Sequence, residues 1–386
     1  MMQKKKVLPI IVISQFFCTS LWFAGNGVLD ELISDFDLNS QALGHLTSAV
    51  QFGFILGTLV YATLMIADRY SPSKVFFFSS LLAGIFNLGM LWEGNSLYSL
   101  LGSRFLTGFF LAGIYPVGMK IAADYFKEGL GRSLSFLVGA LVLGTALPHL
   151  LAGSSLFAQW KWVIITTSLL SFAGGTLIVL KVPNGPFRSP AQQPKLLEAF
   201  TIFKNVQLRK AAIGYFGHMW ELYAFWAFVP VMFKTYKDIH GGVLSTSLWS
   251  FIIIGIGSIG CVIGGLTSER FGVKKIASWS LLISCICCLS SPLFFYQPSA
   301  IVFLLFLMLW GMTVIADSPL FSTLVAQHAE GPLKGSALTL VNCIGFAITI
   351  FSIQILNTLQ MSISHSMIYV TLAIGPVIGL SVLYKK

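Results

Sequence analysis

The sequence predicts an all-α membrane protein with twelve transmembrane helices in two pseudo-symmetric lobes of six. Three observations support this prediction: an apolar composition, the number of long apolar segments, and an internal repeat. Hydrophobic residues make up 56% of the 386-residue chain and charged residues only 10%, whereas soluble domains average roughly 25% charged residues. The composition therefore indicates an integral membrane protein.

Twelve apolar segments have the length of a membrane span. A helix needs about 20 apolar residues to cross the hydrocarbon core. A β-barrel is disfavoured because the chain lacks the ten-residue alternation that barrel strands show. The predicted spans are 7–29, 45–66, 74–93, 98–122, 133–154, 162–181, 211–233, 246–268, 274–295, 299–325, 335–357 and 366–384.

The second half of the chain repeats the first about 201 to 203 residues later. The matching pairs are 68–74 with 269–275, 108–116 with 311–319, and 128–132 with 330–334. A repeat of this kind in an apolar chain is typical of two-lobed membrane transporters, with the site where the lobes face each other. We predict an N-terminal lobe at 1–182, a proline-rich, basic cytoplasmic linker at 183–210 and a C-terminal lobe at 211–386.

Most of the cations fall in the short connections on one side of the predicted membrane. This pattern explains the net charge of +10 as a sign of membrane orientation, with lipid and not nucleic acid as the partner. Both termini are predicted to be cytoplasmic, and the protein to be a monomer in the plasma membrane, the inner membrane of a bacterium. The orienting cations are Lys4, Lys5, Lys6, Arg69, Lys74, Lys127, Arg132, Arg270, Lys274, Lys275, Lys334, Lys385 and Lys386.

No motif predicts a metal, a cofactor or an enzyme. The six cysteines lie within apolar runs without metal-ligand spacing and are expected to be packing residues. The chain has neither H-E-x-x-H nor G-x-S-x-G, and it has no G-x-x-x-x-G-K-[ST] phosphate-binding loop. An intramembrane enzyme and an ATP-driven pump are therefore disfavoured.

Two motifs resemble those of the major facilitator superfamily of secondary transporters. The run Gly265 to Lys275 follows the loop signature G-x-x-x-D-R-x-G-R-K with Glu269 for Asp, whereas the first copy has Leu64 and Ser71 in place of its two glycines. The fourth segment also matches R-x-x-x-G-x-x-x-A-x-x-x-P. The matching residues are Arg104, Gly108, Ala112 and Pro116.

This resemblance implies two six-helix bundles and transport by alternating access. It also implies that the signature loops gate the cytoplasmic side, with the acidic residue paired to nearby cations; alternatively, these charges only orient the chain. The predicted gating residues are Asp68, Arg69, Lys74, Glu269, Arg270 and Lys275.

Ionisable groups inside a span are costly and are therefore functional candidates. His218 and Glu221 are three residues apart on one face of the seventh segment, and Asp317 lies in the tenth. We predict that all three take part in proton coupling. His218 and Glu221 could instead form a purely structural pair, and Asp317 could hold a cationic group or an interhelical hydrogen bond.

A second set of residues is predicted to bind substrate. Arg104 either extends to the headgroups or faces the cavity, where it would bind an anionic group. His149, near the outer end of the fifth segment, is expected to be a hydrogen-bonded structural residue. The predicted substrate-binding residues are Arg104, Trp22, Asn26, Tyr115, Tyr215 and Trp220.

The predicted function is proton-coupled secondary transport of a small solute. A uniporter or solute exchanger without proton coupling is the alternative. A transporter-like sensor is a third class, although the linker is too short to hold a signalling domain. Arg104 favours an anionic substrate, whereas the carboxylates and aromatic residues equally suit a cationic amphiphile, so the sequence leaves the substrate open.

Overall fold

The computed structural model describes residues 4–39, 41–126, 130–155, 159–188, 200–330, 333–364 and 366–385, and all their regular elements are helical. The chain divides into two compact units, Met1–Pro194 and Lys195–Lys386. This boundary falls inside the segment 183–210 that was predicted as a linker. Residues 189–199 of that segment lie outside the described part, as do Lys127 to Gly129 and Gly331 of the repeat and the terminal Lys386.

Six spanning helices form the first unit. Several of them are followed or continued by short pieces after a bend. The elements are α1 (Lys4–Thr19, continued by Ala24–Gly27 and Leu29–Asp35), α2 (Ala42–Thr63, followed by Ile66–Arg69), α3 (Pro72–Leu88, ending in the 3₁₀ turn Gly89–Leu91), α4 (Leu97–Leu111 and Tyr115–Tyr125), α5 (Leu130–Ala152) and α6 (Trp160–Lys181).

Six more helices form the second unit, after a 3₁₀ turn at Phe200–Lys204. They are α7 (Val206–His240), α8 (Thr246–Gly255 and Gly257–Phe271), α9 (Val273–Phe295), α10 (Ala300–Ala316 and Ser318–His328), α11 (Lys334–Leu359) and α12 (the 3₁₀ turn Ile368–Ala373 and Ile374–Tyr384). The all-α class with twelve helices in two lobes is thus confirmed.

Within the described residues, nine helices are long and apolar enough to cross a membrane, and α1 and α12 contribute shorter apolar helices. The remaining helix, α7, is 35 residues long. It begins at Val206, five residues before the predicted start, because the Asn205 side chain caps it by accepting from the amides of Gln207 and Leu208 at 2.9 and 3.2 Å.

The two units repeat the same helix contacts. In the first, α1 packs against α5 and α6, α2 against α4, and α3 against α6. In the second, α7 packs against α11 and α12, α8 against α10, and α9 against α12. Each contact in one unit has its counterpart six helices later in the other, which is the pseudo-symmetry that the sequence repeat predicted.

A glycine at matching positions in the two units lets these helices approach backbone to backbone. A Cβ atom on Gly108 of α4 would lie 2.0 Å from the carbonyl oxygen of Val50 on α2, and one on Gly311 of α10 would lie 2.1 Å from that of Ile253 on α8. Small residues let membrane helices approach backbone to backbone. Gly108 and Val50 have the same separation along the chain as Gly311 and Ile253, so the repeat preserves this contact.

Candidate functional site

Three spanning helices are interrupted where the candidate residues lie. In α1 the helix stops at Thr19, and residues 20–23 form turns before Ala24. The hydroxyls of Thr19 and Ser20 donate back to the carbonyls of Gln15 and Phe17 at 2.8 and 2.7 Å. Such back-bonding competes with the helical ladder and bends helices, so the break in α1 is encoded locally.

The interruptions in α4 and α10 have a different cause. Pro116 and Pro319 stand at the start of the second piece of each helix. Proline has no N–H, and its ring clashes with the carbonyl four residues earlier, so it ends the preceding turn. At the interruption of α10 stands Asp317, whose carbonyl accepts from the amide of Phe321 at 2.9 Å. The proline thus places a carboxylate side chain at a helix break.

Asp317 pairs with His218 of α7. The Nδ1 atom of His218 and the Oδ1 atom of Asp317 are 2.7 Å apart, and both side chains are only 1% exposed. This is an ion-pair distance, although its angles are not those of a good hydrogen bond. Neither Nε2 of His218 nor Oδ2 of Asp317 has a hydrogen-bond partner within the described part of the chain. Each side chain of the pair therefore has one hydrogen-bonding atom without a partner among the described residues.

Glu221 does not pair with His218, contrary to one of the two predicted arrangements. Its Oε1 atom accepts from Trp310 Nε1 at 2.6 Å and its Oε2 atom from Ser284 Oγ at 2.9 Å. Glu221 is fully buried. Although His218 and Glu221 share a helix face, their partners lie on other helices, and Glu221 links α7 to both α9 and α10. Nothing in the sequence pattern indicated Ser284 or Trp310 as partners.

The aromatic residues predicted on α7 are engaged with neighbouring helices of the same unit. The Tyr215 hydroxyl donates to Asn342 Oδ1 of α11 at 2.8 Å, and its ring centroid is 5.8 Å from that of His218. Trp220 Nε1 donates to the Thr371 carbonyl at 3.1 Å. These contacts fix the orientation of α7. Tyr215 lies beside the His218–Asp317 pair, whereas Trp220 lies against α12.

Arg104 is buried inside the first unit and does not extend to the headgroups, one of its two predicted positions. Its side chain is 1% exposed. Nη1 donates to the carbonyl of Leu21 and to Asn87 Oδ1, both at 3.1 Å, and Nη2 donates to the carbonyl of Trp22. Arg104 thus satisfies carbonyls at the break in α1 and ties them to α3.

Trp22 and Asn26, both predicted to bind substrate, face α2. The Trp22 and Phe54 ring centroids are 4.8 Å apart, and Asn26 Nδ2 donates to Thr47 Oγ1 at 2.8 Å. Through its carbonyl, Trp22 also contacts Arg104. Three predicted residues are therefore brought together. Tyr115 begins the second piece of α4 and is half-buried.

Several polar residues of the first unit were missed by the sequence analysis. Gln15 and Gln51 are fully buried, and neither end of either amide has a partner among the described residues. His149, expected to be a hydrogen-bonded structural residue, is buried, and its Nε2 has no partner in the described chain. An amide inside an apolar run is a signal that could have identified both glutamines.

The signature loops differ between the units. Asp68 pairs with Lys120 of α4 at 2.7 Å, and Arg188 donates to the carbonyls of Asp68 and Tyr70 at 2.7 and 2.8 Å. Of the predicted partners on the loop itself, Arg69 and Lys74 are exposed. The acidic residue is thus paired from α4, because the helix end brings Lys120 closer than the loop cations.

In the second unit the loop residues Glu269, Arg270 and Lys275 are all exposed. The Arg270 guanidinium lies 5.3 Å from the Phe271 ring centroid. Glu269 forms no ion pair with any residue that the structure describes. The signature is therefore present in both copies, but within the described chain only the first copy has its acidic residue paired.

Neither a disulfide nor a metal cluster occurs in the described part of the chain. The six cysteines are free and buried, and no group of three or more His, Cys, Asp or Glu side chains that could hold a metal ion occurs among the described residues. The polar groups available at the candidate sites are thus carboxylates, imidazoles, amides and one guanidinium.

The sequence profile of the Major Facilitator Superfamily matches residues 11–353. Since this match covers most of the chain, the protein belongs to that family of transporters. The membership accounts for the repeat, the twelve helices and the two signature loops together.

Curated relatives are similar at low identity. The putative metabolite transport protein YyaJ of Bacillus subtilis (strain 168) is 23% identical over 343 residues, covering 77% of this chain and 74% of that protein. The efflux pump FUB11 of Gibberella moniliformis is 30% identical over 192 residues, 47% of this chain. These alignments span about a third (31%) of the fungal efflux pumps.

Solved structures share the fold. The proton:xylose symporter XylE matches with a TM-score of 0.75 at 13% identity, covering 98% of this chain and 94% of that chain. A mutant of the nucleoside transporter NupG matches with a TM-score of 0.74 at 15% identity, covering 98% and 100%. At such identities the likeness concerns the fold alone.

Proposed function

We propose that the protein is a proton-coupled secondary transporter that moves a small solute across the plasma membrane by alternating access, and that His218 and Asp317 carry the coupled proton. The observation behind this proposal is the buried His218–Asp317 pair, with its 2.7 Å contact and one unpartnered atom on each side chain among the described residues. Membership of a transporter family and similarity to metabolite transporters support the general class.

Proton counting explains why this pair suits the task. An imidazole and a carboxylate that share one proton are neutral together, whether the proton sits on nitrogen or oxygen. Adding or removing one proton leaves a net charge in the membrane interior, which costs several kcal/mol on most estimates. A conformational change that alters access to the pair can therefore be driven by its protonation.

Glu221 is the less suitable proton carrier. Both of its oxygens already accept hydrogen bonds from Trp310 and Ser284, and an indole N–H can only donate. These two hydrogen bonds occupy both oxygens of the carboxylate and hold it in place, whereas Asp317 Oδ2 has no partner among the described residues. We therefore assign Glu221 to fixing α7 against α9 and α10, and reserve coupling for the pair one turn away.

Orientation completes the proposal. The clustering of cations on one side in the sequence favours cytoplasmic termini and, for a bacterial chain, the inner membrane. A uniporter or exchanger is the second candidate function, supported by the same buried pair if His218 and Asp317 bind the substrate instead of protons.

The test is proton flux in proteoliposomes that contain purified protein and a trapped pH dye, with a panel of sugars, nucleosides, amino acids, organic anions and cationic drugs outside. Asp317→Asn keeps the size and an acceptor but cannot ionise. We expect it to abolish substrate-driven proton flux and uphill accumulation while counterflow exchange persists. Glu221→Gln serves as the matched control because it also removes an intramembrane carboxylate.

Three results would decide against this assignment. Uphill accumulation by Asp317→Asn at the wild-type level removes Asp317 from coupling. Loss of coupling in Glu221→Gln alone transfers the role to Glu221. Labelled-solute exchange by the wild-type protein without any proton flux identifies a uniporter or exchanger instead.

A further inference from the structure

Helices α1 and α2 meet along a seam that we define by Trp22, Asn26, Thr47, Gln51 and Phe54. The seam is fixed at two levels, by the Asn26–Thr47 hydrogen bond of 2.8 Å and by the Trp22–Phe54 ring contact of 4.8 Å. Residues three and four apart lie on one helix face. Gln51, four residues after Thr47 and three before Phe54, therefore lies on the face of α2 that carries both contacts.

The Gln51 side chain has hydrogen-bonding capacity that the described chain does not use. It is fully buried, and neither Nε2 nor Oε1 has a partner among the described residues. Buried polar groups are hydrogen-bonded in more than about 90% of cases. An unpartnered one carries a desolvation penalty that no hydrogen bond offsets. A carboxamide kept at this position is therefore explained best by a partner from outside the chain.

Unpartnered polar groups recur elsewhere on the two helices. Gln15 lies on α1 before its break, seven residues ahead of Trp22, and Thr58 lies two turns after Gln51 on α2. Gln15 is fully buried with both amide atoms unpartnered, and the Thr58 hydroxyl is also buried without a partner in the described chain. Gln15 extends over α4, since a Cβ on Gly118 would lie 2.4 Å from its Oε1. Unused amide and hydroxyl groups thus continue along both helices.

The chemistry of this seam is uncharged. Its unpartnered amide, Gln51, both donates and accepts hydrogen bonds, and an aromatic pair lies on the same face of α2. The nearest cation, Arg104, has both Nη atoms occupied by the oxygens of Leu21, Trp22 and Asn87. Its remaining Nε lies beside Gly25, 3.5 Å from where a Cβ would stand. The guanidinium therefore lacks a free fork for a carboxylate.

We infer that the α1–α2 seam binds an uncharged hydrogen-bonding solute, such as a nucleoside or a polyol, through Gln51. This inference rests on the proposed transport function, because the bound solute is the transported one. The Gln51 amide supplies a donor and an acceptor, and the Trp22–Phe54 pair supplies an apolar face for a ring or a carbon skeleton. The C-terminal carboxylates are not needed for this binding.

The experiment measures binding to purified protein in nanodiscs by isothermal titration calorimetry. The probes are uridine and xylitol as uncharged solutes, benzoate and succinate as anions, and tetraphenylphosphonium as a cation. We expect an uncharged probe to bind, and Gln51→Leu to weaken its binding at least tenfold because the variant loses one or two hydrogen bonds to the solute. Gln207→Leu is the matched control, because it makes the same chemical change at a position that is exposed on α7.

A second measurement separates binding from folding. If the Gln51 amide awaits a ligand, the empty Gln51→Leu protein unfolds thermally at the wild-type temperature or above it, since no internal hydrogen bond is lost. A lower unfolding temperature shows that the amide is structural and overturns the inference. So does unchanged binding of the uncharged probe by Gln51→Leu, or binding of charged probes alone.

Failure of this inference is distinguishable from failure of the proposed function. Binding in nanodiscs involves no proton gradient, whereas Asp317→Asn tests coupling alone. If uridine or xylitol binds and the binding is weakened in Gln51→Leu, solute binding at the seam is supported, regardless of the effect of Asp317→Asn on proton coupling. Proton flux driven by an anion whose binding is unchanged in Gln51→Leu supports the proposed transport function and rejects solute binding at the seam.

Discussion

The two lobes share a backbone design and differ in their buried polar chemistry. Gly108 faces Val50, and Gly311 faces Ile253, at nearly the same distance. Yet the first lobe holds a guanidinium whose two Nη atoms donate to neutral oxygens, the buried His149, and two amides without partners among the described residues. The second lobe holds a histidine and two carboxylates, all of them buried.

The difference teaches that the helix break and its side chain are separate properties. Prolines interrupt α4 and α10 at matching positions. The first copy has Ile114 in this interval, whereas the second has Asp317 at the break. The repeat therefore supplied two equivalent places for a polar group, and only one received a carboxylate. This division agrees with solute binding in the first lobe and proton binding in the second.

The largest effect is expected at Arg104. Arg104→Gln leaves the Leu21 and Trp22 carbonyls and Asn87 with fewer donors. We expect it to lower the free energy of unfolding by about 3 kcal/mol or more, since a hydrogen bond to a charged group contributes about 1.5–3 kcal/mol. Asp317→Asn keeps an acceptor beside His218 and should cost about 1 kcal/mol. The two variants are compared by thermal unfolding in detergent, which is monitored by size-exclusion chromatography.

Controls can separate a structural role of Arg104 from a role in substrate binding. Arg270→Gln removes an exposed arginine and should leave the unfolding temperature unchanged. Arg104→Lys should fail like Arg104→Gln because a compact ammonium lacks the planar fork that reaches oxygens on two different helices. If Arg104→Gln unfolds at the wild-type temperature but loses substrate binding, Arg104 is a substrate ligand and the contrast between the lobes is smaller than described.

A somewhat smaller and symmetric effect is expected at the repeated glycines. Gly108→Ala and Gly311→Ala each place a methyl group about 2 Å from a backbone oxygen, so the helices must move apart. We expect each to lose roughly 1–3 kcal/mol, the usual cost of overpacking. Gly102→Ala on α4 is the control, because no atom lies within 4 Å of its Cβ position.

Equal losses at Gly108 and Gly311 would support an equivalent backbone in the two lobes. A loss at one glycine only would show that one of these contacts can relax, and would break the structural half of the comparison. The measurement is the same thermal unfolding series, with Gly102→Ala at the wild-type temperature.

The fold was predictable because its signals are local and additive. Apolar length identifies each span, and the repeat identifies the lobes. Even the interruptions in α4 and α10 follow from Pro116 and Pro319, which the sequence displays. The early start of α7 was missed because it depends on a single side-chain cap at Asn205 within a polar, basic segment.

The candidate site was predictable only in part. Ionisable residues stand out against an apolar background, so Arg104, His218, Glu221 and Asp317 were identified. Their partners were not, since spacing along α7 suggests His218 with Glu221 but says nothing about side chains from α9 and α10. Gln15 and Gln51 were overlooked because an amide carries no charge, although inside a membrane an unpartnered amide is also informative.

The smallest effect is expected at the signature loops. The Asp68–Lys120 pair is partly exposed, with side-chain exposures of 35% and 24%, and pairs of this kind contribute at most about 1 kcal/mol. Asp68→Asn should therefore lower the free energy of unfolding by less than this amount. Glu269→Gln should leave it unchanged, because Glu269 is exposed and unpaired within the described chain.

A double-mutant cycle of Asp68→Asn with Lys120→Gln isolates the pair, and salt at about 1 M should reduce the coupling. A coupling energy near zero would remove the difference between the loops, whereas a larger effect at Glu269 than at Asp68 would reverse it.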